Sequence, residues 1–292
     1  MTDAGPFLIE ARDWVNAGLE RMLPPADKEP KRLHAAMRYS VFAGGKRLRP
    51  AITLAACRAA GGRDEEALSA ACALEMLHTY SLIHDDLPAI DDDDLRRGRP
   101  TCHVEFDEPA AILAGDALQT EAFRVLAEET PRAEAIVPLV RELAHAAGTG
   151  GMVGGEIADI EGEGREPDLD WTQRIHELKT AALFRAAAVM GGLAAGAEER
   201  TLTGLRAYGS ALGLAFQIVD DLLDESGSAE ELGKSPGKDR EARKMTYPAA
   251  IGMDASREHA RNWAARAKEE LAAVPAPEIL MALADMTVER SR

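Results

Sequence analysis

The chain has 292 residues, 46% apolar and only 4% aromatic, enough for a real core built mainly of Ala, Leu, Val and Ile. Acids number 50 against 34 Lys plus Arg, and the resulting net charge of −16 argues against nucleic acid as the main partner, because phosphate binding normally draws on a basic surface. Three scattered cysteines, Cys57, Cys72 and Cys102, argue against a disulfide framework; no apolar run approaches the roughly 18–20 residues of a membrane span, and the acidic start MTDAGPFLIEARDW is no secretory signal, so the expectation is a soluble cytoplasmic protein.

The helical period recurs almost everywhere, and no run of alternating β-branched residues competes with it. We expect an all-α protein in which residues 1–292 form a single domain. About ten to thirteen helices, joined by short Gly/Pro turns, would pack around a central cavity. The first landmark is GGKRLRP, Gly44 to Pro50, with Lys46, Arg47 and Arg49. Guanidinium groups grip phosphate oxygens bidentately and lysine acts as a point charge; a solvated surface is the plainer reading of each alone.

Next, the apolar TYSLIH leads into DDLPAIDDDD, Asp85 to Asp94. A carboxylate cluster at the end of a buried helix is costly unless something positive neutralises it. Pro88 removes a backbone donor, so the helix ends or distorts there. Asp85 and Asp91 are six apart and would then converge from a helix end and its loop. Asp92, seven from Asp85, aligns on an undistorted helix, so periodicity does not choose between them. Asp93 and Asp94 read as exposed. Arg96 and Arg97 follow in LRRGRP.

Thr130 before Pro131 is a start signal for a helix whose apolar face is Ile136, Leu139, Val140, Leu143 and Ala147. The run from Gly148 to Gly164 holds seven glycines, which lets helices or ligands approach the backbone, or else marks a loose connection. Asp168 or Asp170 is a candidate cap for the next helix. The apolar LGLAFQIV then runs into DDLLD, Asp220 to Asp224. Asp220 and Asp224, four apart, share one helical face and suit Mg²⁺, which favours substrate phosphates as co-ligands. The polar stretch 225–244 that follows reads as a loop beside the site, a candidate lid.

Two acidic clusters and flanking basic groups point to two anionic groups, one held through metals and one directly. The ordered set resembles the trans-isoprenyl diphosphate synthases, most closely the bacterial farnesyl diphosphate synthases. The resemblance rests on GGKRLRP, EMLHTYSLIHDDLPAIDDDDLRRGRPTCH (75–103), ILAGDALQTEAF (112–123), HELKTAALFRAA (176–187), FQIVDDLLD (216–224), LGKSPGKD (232–239) and KMTYPA (244–249). These pieces run in the family's order over nearly the whole chain.

The resemblance implies an isoprenoid-synthase bundle, usually a homodimer, with three Mg²⁺ per site and Mn²⁺ as an alternative. Asp85 and Asp91 look like ligands of two ions, supported by Asp86. Asp220 looks like the main ligand of the third, with Asp221 and Asp224 acting directly or through water. The allylic diphosphate would meet Arg96, Lys179, Thr180, Gln217, Lys234 and Lys244. Isopentenyl diphosphate would meet Lys46, Arg49, His78 and Arg97, with Phe216 along its hydrocarbon part. Among these, Asp85, Asp91, Arg96, Lys179, Asp220 and Lys234 would carry the catalysis. Arg290 and Arg292 are candidates for a closing tail. Glu156 stands where the family often has Gln, and Asp159 fits its auxiliary acid.

The implied reaction is a head-to-tail condensation of isopentenyl diphosphate with dimethylallyl or geranyl diphosphate. Metals and cations would stabilise the leaving diphosphate, which would itself take the final proton. Tyr80 and Ser81 lie five and four residues before Asp85, about 6–7.5 Å down the helix. In the family an aromatic there, with the longer first cluster, goes with a C15 product, so farnesyl diphosphate is the expected product. C20 and C10 products are the alternatives, and a terpene cyclase or a non-catalytic synthase subunit are rivals of another class.

Overall fold

The computed structural model describes residues 4–226 and 244–289, and most of that chain is helical. The first half comprises α1 (Ala4–Met22), α2 (Lys31–Val41), α3 (Leu48–Ala59), α4 (Asp64–Asp85), a hairpin of β1 (Leu95–Arg96) and β2 (Arg99–Pro100), α5 (Cys102–Glu105), α6 (Glu108–Glu129) and α7 (Ala133–Ala147). After α8 (Met152–Gly162), α9 (Leu169–Ile175) runs through a π turn (His176–Ala181) straight into α10 (Ala182–Ala195). Then come α11 (Glu199–Ser226), α12 (Tyr247–Ile251), α13 (Met253–Glu269) and α14 (Glu278–Glu289). The all-α expectation holds: the two-residue hairpin is the sole strand pairing among the described residues.

Two helices are buried almost all round. α10, ALFRAAAVMGGLAA, packs against α3, α4, α7 and α11, and α4 buries every residue from Ala70 to Leu77. Small side chains make this possible. A Cβ on Gly191 would collide with the Thr53 carbonyl of α3, so those two backbones touch without an intervening side chain. The consequence for the site is that α4, and α10 directly behind the π turn, set two of its walls in a closely packed core.

The segment Leu169–Ala195 corrects one expectation: it is long and apolar enough, by length and composition, to cross a membrane. Its most apolar window is 72% buried inside the protein, which is how a core helix behaves.

The helix boundaries are partly as expected. Asp168, not Asp170, caps α9 by accepting from Trp171 N at 2.8 Å. Thr130 does not start α7. It ends α6, and its hydroxyl sits 3.1 Å from Ser69 Oγ on α4, so it ties two helices together; α7 begins after Arg132. The glycine-rich 148–164 stretch is mostly α8 and not a loose connection. Gly155 lets α8 press on the π turn, since a Cβ there would collide with the Lys179 backbone nitrogen.

Arg47 also departs from the basic run it belongs to. With φ 50° it turns inward, donates to Glu75 Oε1 at 2.6 Å and to the Val41 carbonyl at 2.6 Å, and pairs with Asn16 Oδ1 at 3.0 Å. All three cysteines are free and buried, as the sequence implied.

Candidate active site

A cavity of about 320 Å³ opens where the C-terminal end of α4, the hairpin, α8, the π turn and α11 converge. Asp85, Asp91, Arg96, Arg97, Arg49, His78, Lys179, Thr180, Phe216, Gln217, Asp220, Asp221 and Lys244 all line it, together with Ser81, Glu156, Asp159 and His176. Lys46 does not; its side chain is exposed at the surface. Lys234, most of the 225–244 stretch, Arg290 and Arg292 lie outside the described residues.

The first cluster converges through its loop. α4 stops at Asp85, as Pro88 requires, and the chain folds back so that Asp91 N donates to Asp85 O at 2.9 Å. That places Asp91 at the cavity and leaves Asp92 exposed with φ 49°. Burial, reinforced by Glu156, pushes the Asp85 carboxyl up to about 7 despite Lys179 and Arg96 nearby. Asp86 is buried and bound by Arg96, whose Nε lies 2.7 and 2.9 Å from its two oxygens. It therefore supports the site from behind. Asp93, expected to be exposed, is buried, and its charge helps hold the Arg96 guanidinium protonated. Asp94 is exposed, as expected.

The opposite wall is α11. Asp220 lines the main cavity, while Asp224 lines an adjoining one of about 500 Å³ beside Lys244 and Thr246. Asp221 is buried, and both its oxygens meet protein donors: Gln217 Nε2 at 3.1 Å and Tyr247 N at 3.0 Å. Gln217 in turn accepts from the Thr180 hydroxyl at 2.7 Å. Asp221 thus stands as an anchor for α11 and the 244–247 segment.

Three basic groups cluster on the third side. Arg49 lies over the Phe184 ring at 4.9 Å and donates to His78 Nε2 at 3.2 Å. Because guanidinium only donates, His78 accepts there as a neutral imidazole. Burial and the neighbouring arginines push its pKa well below the usual value. Burial lowers Arg49 itself to about 10, while Glu75 and Asp220 oppose the shift. Arg97, on the hairpin turn with φ 54°, donates to the Gly44 carbonyl.

Lys179 sits between Glu156 Oε2 at 2.8 Å and Asp159 Oδ2 at 2.7 Å. Burial alone would discharge it, but Asp159, Glu156 and Asp85 hold its pKa above the ordinary range. Glu156, the departure from the family pattern, therefore faces the site and not solvent. Lys244 reaches Asp91 Oδ1 at 3.0 Å and bridges toward Asp159 at 3.9 Å. His176 is the residue that charge patterning overlooked: it is buried and stacks on Tyr247, and burial takes its pKa down to about 3.

The donor set fits Mg²⁺. Asp85 and Asp91 crowd each other on one wall and Asp220 faces them from another, all hard oxygen ligands. Mg²⁺ takes one or two carboxylates, keeps several waters and uses phosphate oxygens as further partners, so these few acids are enough to hold it. The crowding gives a testable sign. Asp85 titrates higher in the folded protein than unfolded, so its contribution is fully present below about pH 4 and is lost as pH rises through about 7. Asp85→Asn, studied by calorimetry in chelator, is expected to be more stable than the parent by about 1–3 kcal/mol at pH 8 and to lose that advantage near pH 4. A constant difference across that window would refute the assignment.

A family model described as polyprenyl synthetase matches residues 30–277. Geranylgeranyl pyrophosphate synthase 4 of Arabidopsis thaliana is 43% identical over 99% of this chain and 78% of its own length. The geranylgeranyl diphosphate synthase of Cyanophora paradoxa is 45% identical over 98% of this chain and 96% of its own. Among solved structures, the geranyltransferase from Helicobacter pylori, complexed with magnesium and isoprenyl diphosphate, superposes with a TM-score of 0.86 at 31% identity, covering 99% of this chain and 97% of that one.

Proposed function

Since the chain belongs to the polyprenyl synthetase family and is a head-to-tail prenyl diphosphate synthase, we propose that its end product is the C20 geranylgeranyl diphosphate. The observation that carries this reading is the orientation of Tyr80. Its buried ring stands edge-on to His84, with centroids 5.5 Å apart, and it does not line the cavity; Ser81 and Leu82 do. A small serine toward the cavity leaves room for a longer chain than a tyrosine would. The names of the Arabidopsis thaliana and Cyanophora paradoxa relatives support the same reading. A C15 product is the second reading, favoured by Tyr80 lying little more than one helical turn below Asp85.

The division of labour follows the walls. Asp85, Asp91 and Asp220 would hold Mg²⁺, which when bound neutralises charge on the allylic diphosphate and its leaving group. Lys179, Lys244, Thr180 and Gln217 face that same diphosphate. Arg49, His78 and Arg97 would hold isopentenyl diphosphate, with Phe216 lining the same cavity. No side chain with the geometry of a general base is required, because the departing diphosphate can take the proton. The exposed apolar residues Ile112 and Leu113 on α6 and Val153, Ile157 and Ile160 on α8 support a homodimer.

The test is product analysis with labelled isopentenyl diphosphate, Mg²⁺ and C5, C10 or C15 primers. Extension of farnesyl diphosphate to C20, with Tyr80→Ala leaving the profile unchanged, is the expected result. A parent enzyme that stops at C15 and a Tyr80→Ala variant that proceeds to C20 would establish Tyr80 as the floor instead. No incorporation with any primer would sink the synthase reading for this chain.

A further inference from the structure

His176 opens the π turn, is buried and lines the cavity. Its Nε2 lies 3.4 Å from Asp221 Oδ2, and its ring stacks on Tyr247 with centroids 5.3 Å apart and planes 21° from parallel. The 3.4 Å separation is longer than an ordinary hydrogen bond, a polar contact that favours the tautomer with its proton on Nε2. Nδ1 is then a buried acceptor, and it has no hydrogen-bond partner among the described residues. An orphaned buried lone pair is unfavourable. A phenylalanine would fill similar space without it, so the contact through Nε2 is what the imidazole adds.

Nε2 adds a longer polar contact to Asp221. That carboxylate already accepts from Gln217 Nε2 and from Tyr247 N, and Gln217 accepts from Thr180. The π turn therefore meets α11 twice, through the His176–Asp221 contact and through the Thr180–Gln217 hydrogen bond. Tyr247 is fully buried against His176, and three residues before it Lys244 reaches Asp91 across the cavity.

We propose that His176 is a positioning residue: it clamps Asp221 to Tyr247, and so sets where Lys244 stands between the two acidic clusters and how α11 presents Asp220. This rests on the diphosphate reading above. It also says which ligand the clamp serves: the diphosphate and cations between the acidic clusters. Arg49 and His78 pair with each other and Arg97 donates to the Gly44 carbonyl, so none of the three hydrogen-bonds to the clamp residues.

The experiment compares His176→Phe, which keeps the shape but loses the donor, with His176→Gln, which loses the ring but keeps an amide donor. Binding of inorganic diphosphate with Mg²⁺ is measured by calorimetry, and the KM values of both substrates by steady-state kinetics. His176→Phe is expected to weaken diphosphate binding and raise the allylic KM by about 10-fold, with the isopentenyl diphosphate KM unchanged and His176→Gln recovering most of the loss. Tyr247→Leu, which removes the stack and keeps the backbone donor, should show the same allylic-selective defect and serves if His176→Phe does not fold. Unchanged diphosphate binding in the phenylalanine or leucine variant, a parallel rise in both KM values, or no recovery with glutamine would overturn the proposal. A parent protein that binds diphosphate but condenses nothing would sink the synthase reading while leaving the clamp measurable.

Discussion

Lys179→Ala is expected to lower kcat by about 10²–10³-fold, the scale on which losing one preorganised charge donor at a developing anion acts. The ammonium is 2.7 and 2.8 Å from two carboxylates, and its charge also lowers the pKa of Asp85. Removing it leaves Glu156 and Asp159 facing each other with Asp85 close by, and the cavity becomes more negative just where a diphosphate must enter. Two effects then add: the allylic substrate loses a counter-charge, and Asp85 holds its proton to higher pH. Without Lys179 the Asp85 carboxyl moves up from about 7, so the acid limb of the rate profile should shift toward alkaline pH. Lys179→Arg, which keeps the charge with a different geometry, should fall between parent and alanine variant. Steady-state rates from pH 6 to 9 decide the matter. Parent-like kcat in the alanine variant, or an acid limb that does not move, would remove Lys179 from the machinery.

The second large effect is on stability. Glu75→Gln is expected to destabilise the fold by about 3–5 kcal/mol, because it leaves the Arg47 guanidinium charged and without its carboxylate in the interior. The pair is 2.6 Å apart, with side chains only 3% and 4% exposed. For a chain of this size the loss is roughly 10 °C in Tm. Replacing both partners by apolar residues, as in Arg47→Met with Glu75→Leu, should recover most of it, since a buried ion pair contributes little net stability over a packed apolar pair. Arg47 immediately precedes α3, and Arg49 lies in that helix's first turn, so Glu75→Gln should also weaken isopentenyl diphosphate binding. Thermal unfolding of the single and double variants tests both statements. If the double variant is as unstable as the single one, an unpaired buried charge is not the cause.

The acidic clusters were legible because charged residues at the end of an apolar helix have few explanations, and the whole helical architecture was legible in the period of alanine and leucine. Other features depended on backbone geometry that side-chain spacing does not encode. Asp91 reaches the cavity because its own N–H closes a loop onto the Asp85 carbonyl, and Asp93 is buried where its N–H closes onto the Asp86 carbonyl. Of three clustered cations in GGKRLRP, one faces inward, one lines the cavity and one stays outside, according to a single left-handed residue at Arg47. Tyr80 shows the limit most clearly. Its depth below Asp85 follows from the helical rise, but α4 is apolar on nearly every side, so no polar face in the sequence says which way the ring turns.

The π turn at His176–Ala181 has one more consequence. It works as a phase shift in a single rod. A continuous α-helix would lock the outlook of its first and last turns together, so any change that suited the site would rotate the packed alanine surface behind it. One wider turn uncouples them. The π turn carries residues that line the cavity, while from Ala182 onward the rod packs mainly against α3, α4, α7 and α11, with Leu183 alone of its first residues still at the cavity. The two halves can therefore accept substitutions independently, and a chain like this one can change the chemistry at one end of the rod without renegotiating the other.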